Sequence, residues 1–226
     1  MNELTKFEKE IKINFNDKTI SQIQCNNGRE MLSLMRLGAK EGIGFDISDD
    51  AISEAEKLAD IAKLNAKFVR TNILEIDNQY DNRFDFIYIS EGSLQWFPDL
   101  KDYFNVVSRL LKKGGQIFIS ELHPFFYIFQ NGFDFKKQNF DDITSYFEKG
   151  PYNLKSGLDY VGGVTYEPSE CFWFMHKISD IINAIINAGI EVQEFEEYSE
   201  GNMDSEAFKL LSNTFPRSYI LIGSKK

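Results

Sequence analysis

Cysteine and histidine are both scarce in this chain, two of each in 226 residues. Cys25 and Cys171 could close at most one bridge, which excludes a disulfide-stapled scaffold and fits a reducing compartment. His123 and His176 show no His-x-x-x-His spacing, so no metal site is expected. The five prolines form no linker. No apolar run approaches the roughly 20 residues needed to span a bilayer. The opening stretch MNELTKFEKEIKINFND is charged throughout and lacks an apolar signal core. These absences predict a cytoplasmic, soluble protein with no membrane partner. Basic charge is also in deficit: 25 Lys plus Arg against 35 Asp plus Glu give a formal net charge of −10. Such a chain repels phosphate backbones, so no nucleic-acid partner is expected.

What is present is a core. Hydrophobic residues make up 42% and aromatics 15%, with 21 Phe, enough for one domain of ordinary size. The first half alternates strand and helix signals. Candidate strands are Thr19–Gln24, Gly42–Phe45, Lys67–Arg70, Phe84–Ser90 and Gln116–Glu121. Between them, Arg29–Leu37 reads as a helix stopped by Gly38. Ser48 caps a second helix, with Asp49 and Asp50 in its first turn. Asp99 caps a third, which Lys112, Lys113, Gly114 and Gly115 end. Alternation of this kind predicts a doubly wound α/β fold, a mostly parallel sheet with helices on both faces. After residue 124 the pattern breaks. Residues 124–172 are aromatic and without period, which predicts an inserted lid or substrate-binding segment in a single domain spanning 1–226. Ser179 is then expected to cap a final helix, followed by strands at Ile190–Tyr198 and Ser218–Ser224.

Open α/β sheets bind ligands at the carboxyl ends of their strands, near the reversal of strand order. The residues collected there are Gln24, Cys25, Asn26, Asn27 and Gly28 after strand one, and Asp46 and Ile47 after strand two. Asn72 and Ile73 follow strand three, Ser90 and Glu91 strand four, and Glu121 and His123 strand five. Asp46 lies 18 residues past Gly28, where a carboxylate can accept both hydroxyls of a ribose. Asn72 can bond an adenine edge and Ile73 can pack on its face. The turn at 24–28 suits an anionic end. Together these residues point to an adenosine-containing ligand. Cys25 reads as a small packing residue, with no His or Lys close in sequence to activate it.

The run IQCNNGREMLSLMRLGAKEGIGFDIS resembles the nucleotide-binding half of the class I S-adenosylmethionine-dependent methyltransferases. FVRTNILEI, FDFIYISEGSLQWFPDL and SRLLKKGGQIFISELHP are similar to that superfamily's next three segments, in order and spacing, over residues 18–124. FWFMHKISDIINAIINAGIEV resembles a bacterial branch acting on small molecules. The resemblance implies a seven-stranded Rossmann-like sheet with an antiparallel C-terminal strand, S-adenosylmethionine as cofactor, and methyl transfer to a small-molecule acceptor. It leaves a homodimer open. The first motif departs from the family's acidic-x-Gly-x-Gly-x-Gly: Gln22 replaces the acid, and Gln24 and Asn26 replace two glycines. Asn72 stands where an Asp is usual. The expectation is a working site of altered affinity, in which Gln22 bonds the cofactor's ammonium and the Gln24 amide donates to its carboxylate. His123 and His176 are the candidate general bases. Two rival readings are a nicotinamide-dependent oxidoreductase, disfavoured by the missing Gly-x-Gly-x-x-Gly, and a binding-only relative without turnover.

Overall fold

The computed structural model describes residues 13–129, 143–154, 170–201 and 214–226. The charged opening at 1–12 and the lid positions 130–142 and 155–169 lie outside the described residues.

Seven strands form one sheet in the order β3-β2-β1-β4-β5-β9-β8. The strands are β1 (Thr19–Ile23), β2 (Glu41–Asp46), β3 (Ala66–Arg70), β4 (Phe84–Ile89), β5 (Leu111–Leu122), β8 (Ile190–Tyr198) and β9 (Ser218–Lys225). Strands β1 to β5 run parallel, and β9 pairs antiparallel with both β5 and β8. Alternation along β4 explains its central place. Phe86 and Tyr88 face one apolar layer, while Ile87 and Ile89 face the other. The first layer is closed by α1 (Arg29–Met35) and α2 (Asp49–Ala62), through Met31, Leu34, Ile52 and Ala55. The second is closed by α3 (Leu100–Leu110) and α5 (Ile178–Asn187), through Tyr103, Phe104, Val107, Ile181 and Ile185.

Caps decide the helix starts. Ser48 accepts from the Ala51 N–H at 3.3 Å and Asp99 from the Lys101 N–H at 2.8 Å, as their positions predict. Ser179 does not cap α5. That helix begins two residues earlier than a Ser179 cap would place it: its N-cap is Lys177, whose N–H donates to Asp180 at 3.3 Å. The hydroxyl of Tyr146 accepts from the next N–H, that of Ile178, at 3.1 Å. These two acceptors satisfy the helix start, and Ser179 is left exposed on the first turn.

The junction after α3 also differs from expectation. Lys112 to Gly115 belong to β5 rather than to a helix end. The N–H groups of Asn82 and Arg83 donate to the carbonyls of Arg109 and Leu110 at 3.0 Å each, tying the last turn of α3 to the entry of β4. Leu111 then pairs directly with Phe84, and a bulge separates this pair from the regular ladder at Phe86 and Gln116. The segment after β5 is not devoid of structure. It holds the short α4 (Pro124–Tyr127) and a hairpin of β6 (Tyr152–Leu154) on β7 (Cys171–Trp173). These enclose a third apolar cluster of Leu122, Phe126, Tyr127, Trp173 and Met175.

Candidate active site at the reversal of strand order

Strand order reverses between β1 and β4, so the carboxyl ends of those strands diverge into a crevice. The turn from Gln24 to Gly28 lies there in an unusual backbone conformation. Gln24 has φ 57°, Asn26 φ 47° and Gly28 φ 74°. The left-handed region favours glycine and tolerates asparagine, so Asn26 and Gly28 suit it and Gln24 is strained. Gly28 is required for a second reason. A Cβ at this position would lie 2.6 Å from the Phe68 ring.

The turn is closed by its own hydrogen bonds. The Cys25 N–H donates to Phe45 O at 3.0 Å, the Gly28 N–H to Cys25 O at 2.8 Å, and the Asn26 N–H to Asp46 Oδ2 at 2.8 Å. Three N–H groups expected to meet a ligand are therefore engaged internally. Asp46 Oδ1 accepts from the Ser48 N–H at 3.0 Å. Each Asp46 oxygen accepts one N–H and retains a further lone pair. Cys25 is buried in the α1–α2 layer, and burial pushes its thiol pKa up, so it is a packing residue. Asn27 is half-buried within the turn.

Two expectations for the altered motif are corrected. Gln22 is fully buried, and its amide is already engaged. Its Oε1 accepts from the Met31 N–H at 3.0 Å, and its Nε2 donates to Ser90 Oγ at 3.2 Å and lies 3.5 Å from Glu30 Oε2. The Gln24 amide does not point its donor to a carboxylate. Its Nε2 donates to Ser93 O at 3.1 Å, across the crevice, while its Oε1 is buried with no donor among the described residues. On the β3 side, Asn72 Oδ1 accepts from the Leu74 N–H at 3.1 Å and caps a single 3-10 turn, Ile73–Glu75. Ile73 is only 3% exposed and belongs to the core, so its side chain is not free to cover a base. Ile47, at 64% exposure, is the accessible apolar side chain of the predicted set. Glu91 is half-buried beside Ser90.

The loop after β4 hangs on one buried carboxylate. Glu121 accepts from the N–H groups of Gly92, Ser93, Leu94 and Leu122, the last three at 2.9, 3.2 and 2.8 Å. Burial pushes its pKa up to about 7, against the four N–H groups, which favour the anion. Tyr103 and Tyr219 lie near this carboxylate. Burial first, and its charge second, push their pKa values up. Neither this role of Glu121 nor the place of Glu30 was anticipated. The available signal was an acid at the end of a buried strand, opposite the glycine-containing loop Ser90–Leu94.

His123 follows β5 and His176 follows β7. His123 Nδ1 accepts from the Phe125 N–H at 3.1 Å and caps α4. The lone pair a base would use is thus engaged with backbone, and Nε2 carries the proton. Nε2 lies 2.9 Å from Glu197 Oε1, but its N–H direction misses the oxygen, so this is an electrostatic contact and not a hydrogen bond. Burial lowers the His123 pKa, against the opposing effect of Glu197. His176 Nε2 lies 2.8 Å from Phe97 O. A carbonyl only accepts, so Nε2 holds the proton and Nδ1 holds the basic lone pair. Burial lowers this pKa as well. Around them, the Phe174 N–H donates to Gln95 O at 2.8 Å, and the Trp173 ring stacks on Tyr152 with centroids 4.5 Å apart.

A sheet in this order with an antiparallel β9, and a carboxylate at the end of β2 facing a tight turn after β1, defines the Rossmann-like methyltransferase architecture. A family model described as "Methyltransferase domain" matches residues 16–150, and the chain belongs to that family, within the class I S-adenosylmethionine-dependent methyltransferases. Solved structures of S-adenosylmethionine-dependent methyltransferases share the fold. One from Mesorhizobium loti is 18% identical, with a TM-score of 0.72 over 94% of this chain and 93% of that one. One from Methanosarcina mazei is 19% identical, with a TM-score of 0.68 over 100% and 99%. A curated relative, a tRNA U34 carboxymethyltransferase of Campylobacter fetus, is 29% identical over 110 residues, 49% of this chain and 38% of that protein. The chain thus matches well under half the length of this relative. Among the described residues no helix is long and apolar enough to cross a membrane.

The residues present fit the cofactor. Asp46 keeps lone pairs for a ribose, Gln24 Oε1 is a buried acceptor awaiting a donor, and Ile47 offers apolar surface.

Proposed function

We propose that the chain methylates a small organic acceptor bound against the aromatic layer between β5 and the β6–β7 hairpin. The observation that carries this reading is that layer: Phe126, Tyr127, Trp173 and Met175 are buried together over the carboxyl end of β5, beside the Gly92–Phe97 loop. An apolar wall excludes water and suits an uncharged or flat acceptor better than a polyphosphate chain. The net charge of −10 argues the same way. S-adenosylmethionine supplies an activated methyl group when bound, so the protein's task is alignment.

The chain's own residues divide that task. Asp46 holds the ribose, Asn26 and Gly28 shape the turn around it, and Ile47 and Asn72 flank the base. Ser90 and Glu91 line the opposite strand end. His176, whose Nδ1 lone pair has no hydrogen bond among the described residues, is the better placed of the two histidines to take a proton from an acceptor. His123 is a positioning residue for α4. Residues 124–172 serve as the acceptor-side insert.

Supply of S-adenosylmethionine with a panel of small phenols, amines and carboxylic acids, followed by quantifying S-adenosylhomocysteine, tests the reading. Product with a small acceptor and none with bulk tRNA is the expected result. A second reading, tRNA modification, is motivated by the named function of the curated relative. Label transferred to bulk tRNA instead would favour it. Binding without turnover on any acceptor would favour a binding-only relative. Asp46→Ala should weaken S-adenosylmethionine binding by about 1.5–3 kcal/mol, the size of a charge-assisted hydrogen bond, measured by calorimetry on the folded variant.

A further inference from the structure

Methyl transfer needs cofactor and acceptor held in one geometry, and one loop touches both sides of the crevice. We infer that Glu121 is a positioning residue that sets the turn after β1 and the His176 ring together, acting through the loop 92–97. The inference rests on the proposed function, in which that turn holds the cofactor and His176 faces the acceptor.

The loop divides its polar groups. Its N–H groups at Gly92, Ser93 and Leu94 all donate to the buried Glu121 carboxylate. Its carbonyls are taken by the two sides of the site. Ser93 O accepts from Gln24 Nε2 at 3.1 Å, Gln95 O from the Phe174 N–H at 2.8 Å, and Phe97 O from His176 Nε2 at 2.8 Å.

The link to the turn is direct. The Ser93 carbonyl and the Leu94 N–H belong to one peptide group, which is planar. Its N–H donates to Glu121 Oε2 at 3.2 Å, and its oxygen accepts from Gln24 at 3.1 Å. An N–H fixed on the carboxylate therefore fixes the direction of the carbonyl that holds Gln24. Gln24 stands at φ 57°, where a glutamine is strained, so a bond at the far end of its side chain helps keep that conformation occupied. The link to the histidine runs through the 3-10 turn Leu94–Trp96. The Phe97 N–H donates to Leu94 O at 3.3 Å, and the Phe97 ring packs on Tyr103 with centroids 4.7 Å apart. The next peptide, to Pro98, has no N–H, and its carbonyl is the one that accepts from His176. The tautomer follows this carbonyl: an acceptor opposite Nε2 keeps the proton there and the lone pair on Nδ1.

Two measurements on the full chain test the inference, at pH 8, above the value of about 7 to which burial raises the Glu121 pKa. The first is a double-mutant cycle on S-adenosylhomocysteine binding, read by calorimetry. Glu121→Gln keeps one acceptor oxygen of two, so at least one loop N–H loses its partner. Gln24→Gly removes the amide at a backbone angle that glycine favours. Each should weaken binding about 3- to 10-fold, and the double variant no more than Gln24→Gly alone, because Glu121 acts on the turn through Gln24. The second is the imidazole nitrogen spectrum of the two histidines. In Glu121→Gln the His176 ring should lose its single Nε2-protonated tautomer, while His123 keeps its own. His123 follows Glu121 closely along the chain and is pinned by the Phe125 N–H, so a general loosening at the end of β5 would reach it first. Losses that multiply in the double variant, an unchanged Kd in Glu121→Gln, or a His176 ring that keeps its tautomer overturns the inference, as does a change at both rings. Each of these leaves the cofactor reading standing if the wild type binds S-adenosylhomocysteine, and a wild type that does not bind it overturns both. If Glu121→Gln does not fold, Glu121→Asp takes its place in both measurements, with the same outcomes deciding.

Discussion

On the β1–β2 side of the crevice, shape comes from backbone angles and hydrogen bonds: Gln24, Asn26 and Gly28 in the left-handed region, and Asp46 pinning the Asn26 N–H. On the β4–β5 side, shape comes from one buried carboxylate and from rings: Glu121 under the Gly92–Leu94 loop, and Trp173 against Tyr152 and Tyr127. The first side tolerates little change in backbone, because its dihedrals and N–H groups are committed. The second tolerates change of side-chain shape, because packing can be refilled by another residue of similar volume.

The comparison breaks most visibly at Gly28. Gly28→Ala introduces a Cβ 2.6 Å from the Phe68 ring at φ 74°. It should destabilise the fold by about 3 kcal/mol, combining backbone strain with overpacking, read from urea denaturation. A loss below 1 kcal/mol would mean that the Phe68 ring yields and the turn is softer than described.

Next in size is Glu121→Gln. The amide offers one acceptor oxygen where the carboxylate offers two, and its NH2 faces N–H donors, so a stability loss of about 2 kcal/mol is expected. The loss should depend on pH. Burial raises the folded pKa to about 7, above the ordinary value of 4.5. The folded state therefore holds more protons than the unfolded state between those values, and the contribution of Glu121 falls as pH rises through this window. Wild type should lose stability relative to Glu121→Gln between pH 5 and pH 7, in melts recorded side by side. A difference that grows with pH would show that the four N–H groups outweigh burial.

A smaller effect, confined to one side, is expected at Trp173. Trp173→Leu removes the stack on Tyr152 and the contact with Tyr127, centroids 4.5 and 5.5 Å away. Acceptor KM should rise several-fold while S-adenosylmethionine binding stays within about twofold. Equal change in both would dissolve the distinction between the two sides.

The smallest contrast lies in the helix caps. Asp99→Ala should cost about 1 kcal/mol, because Asp99 satisfies the Lys101 N–H. Ser179→Ala should stay within about 0.5 kcal/mol, because Asp180 and Tyr146 satisfy the start of α5. Thermal melts of the two variants separate a true cap from a serine merely near a helix start.

The local signals in the sequence were sufficient for the seven strands of the main sheet and their order of appearance, and missed the β6–β7 hairpin and the early start of β5. Continuous apolar runs such as FDFIYIS require burial on both faces, and Ile190–Tyr198 is found with the bounds its pattern predicts. The places of Asp46 at the end of β2 and of Gly28 in the turn before α1 were equally legible, because both follow directly from where the strands end. What needed the folded chain was every choice between nearby partners. Whether α5 starts after Ser179 or after Lys177 depends on where Tyr146 arrives from a distant segment. Whether the Gln22 amide is available depends on Met31, Ser90 and Glu30 converging on it. Which histidine keeps a basic lone pair depends on whether a backbone N–H or a carbonyl lies opposite its ring. Periodicity and propensity are properties of a segment and can be read along it. A hydrogen bond between residues 29 or 79 positions apart exists only once the sheet has brought them together.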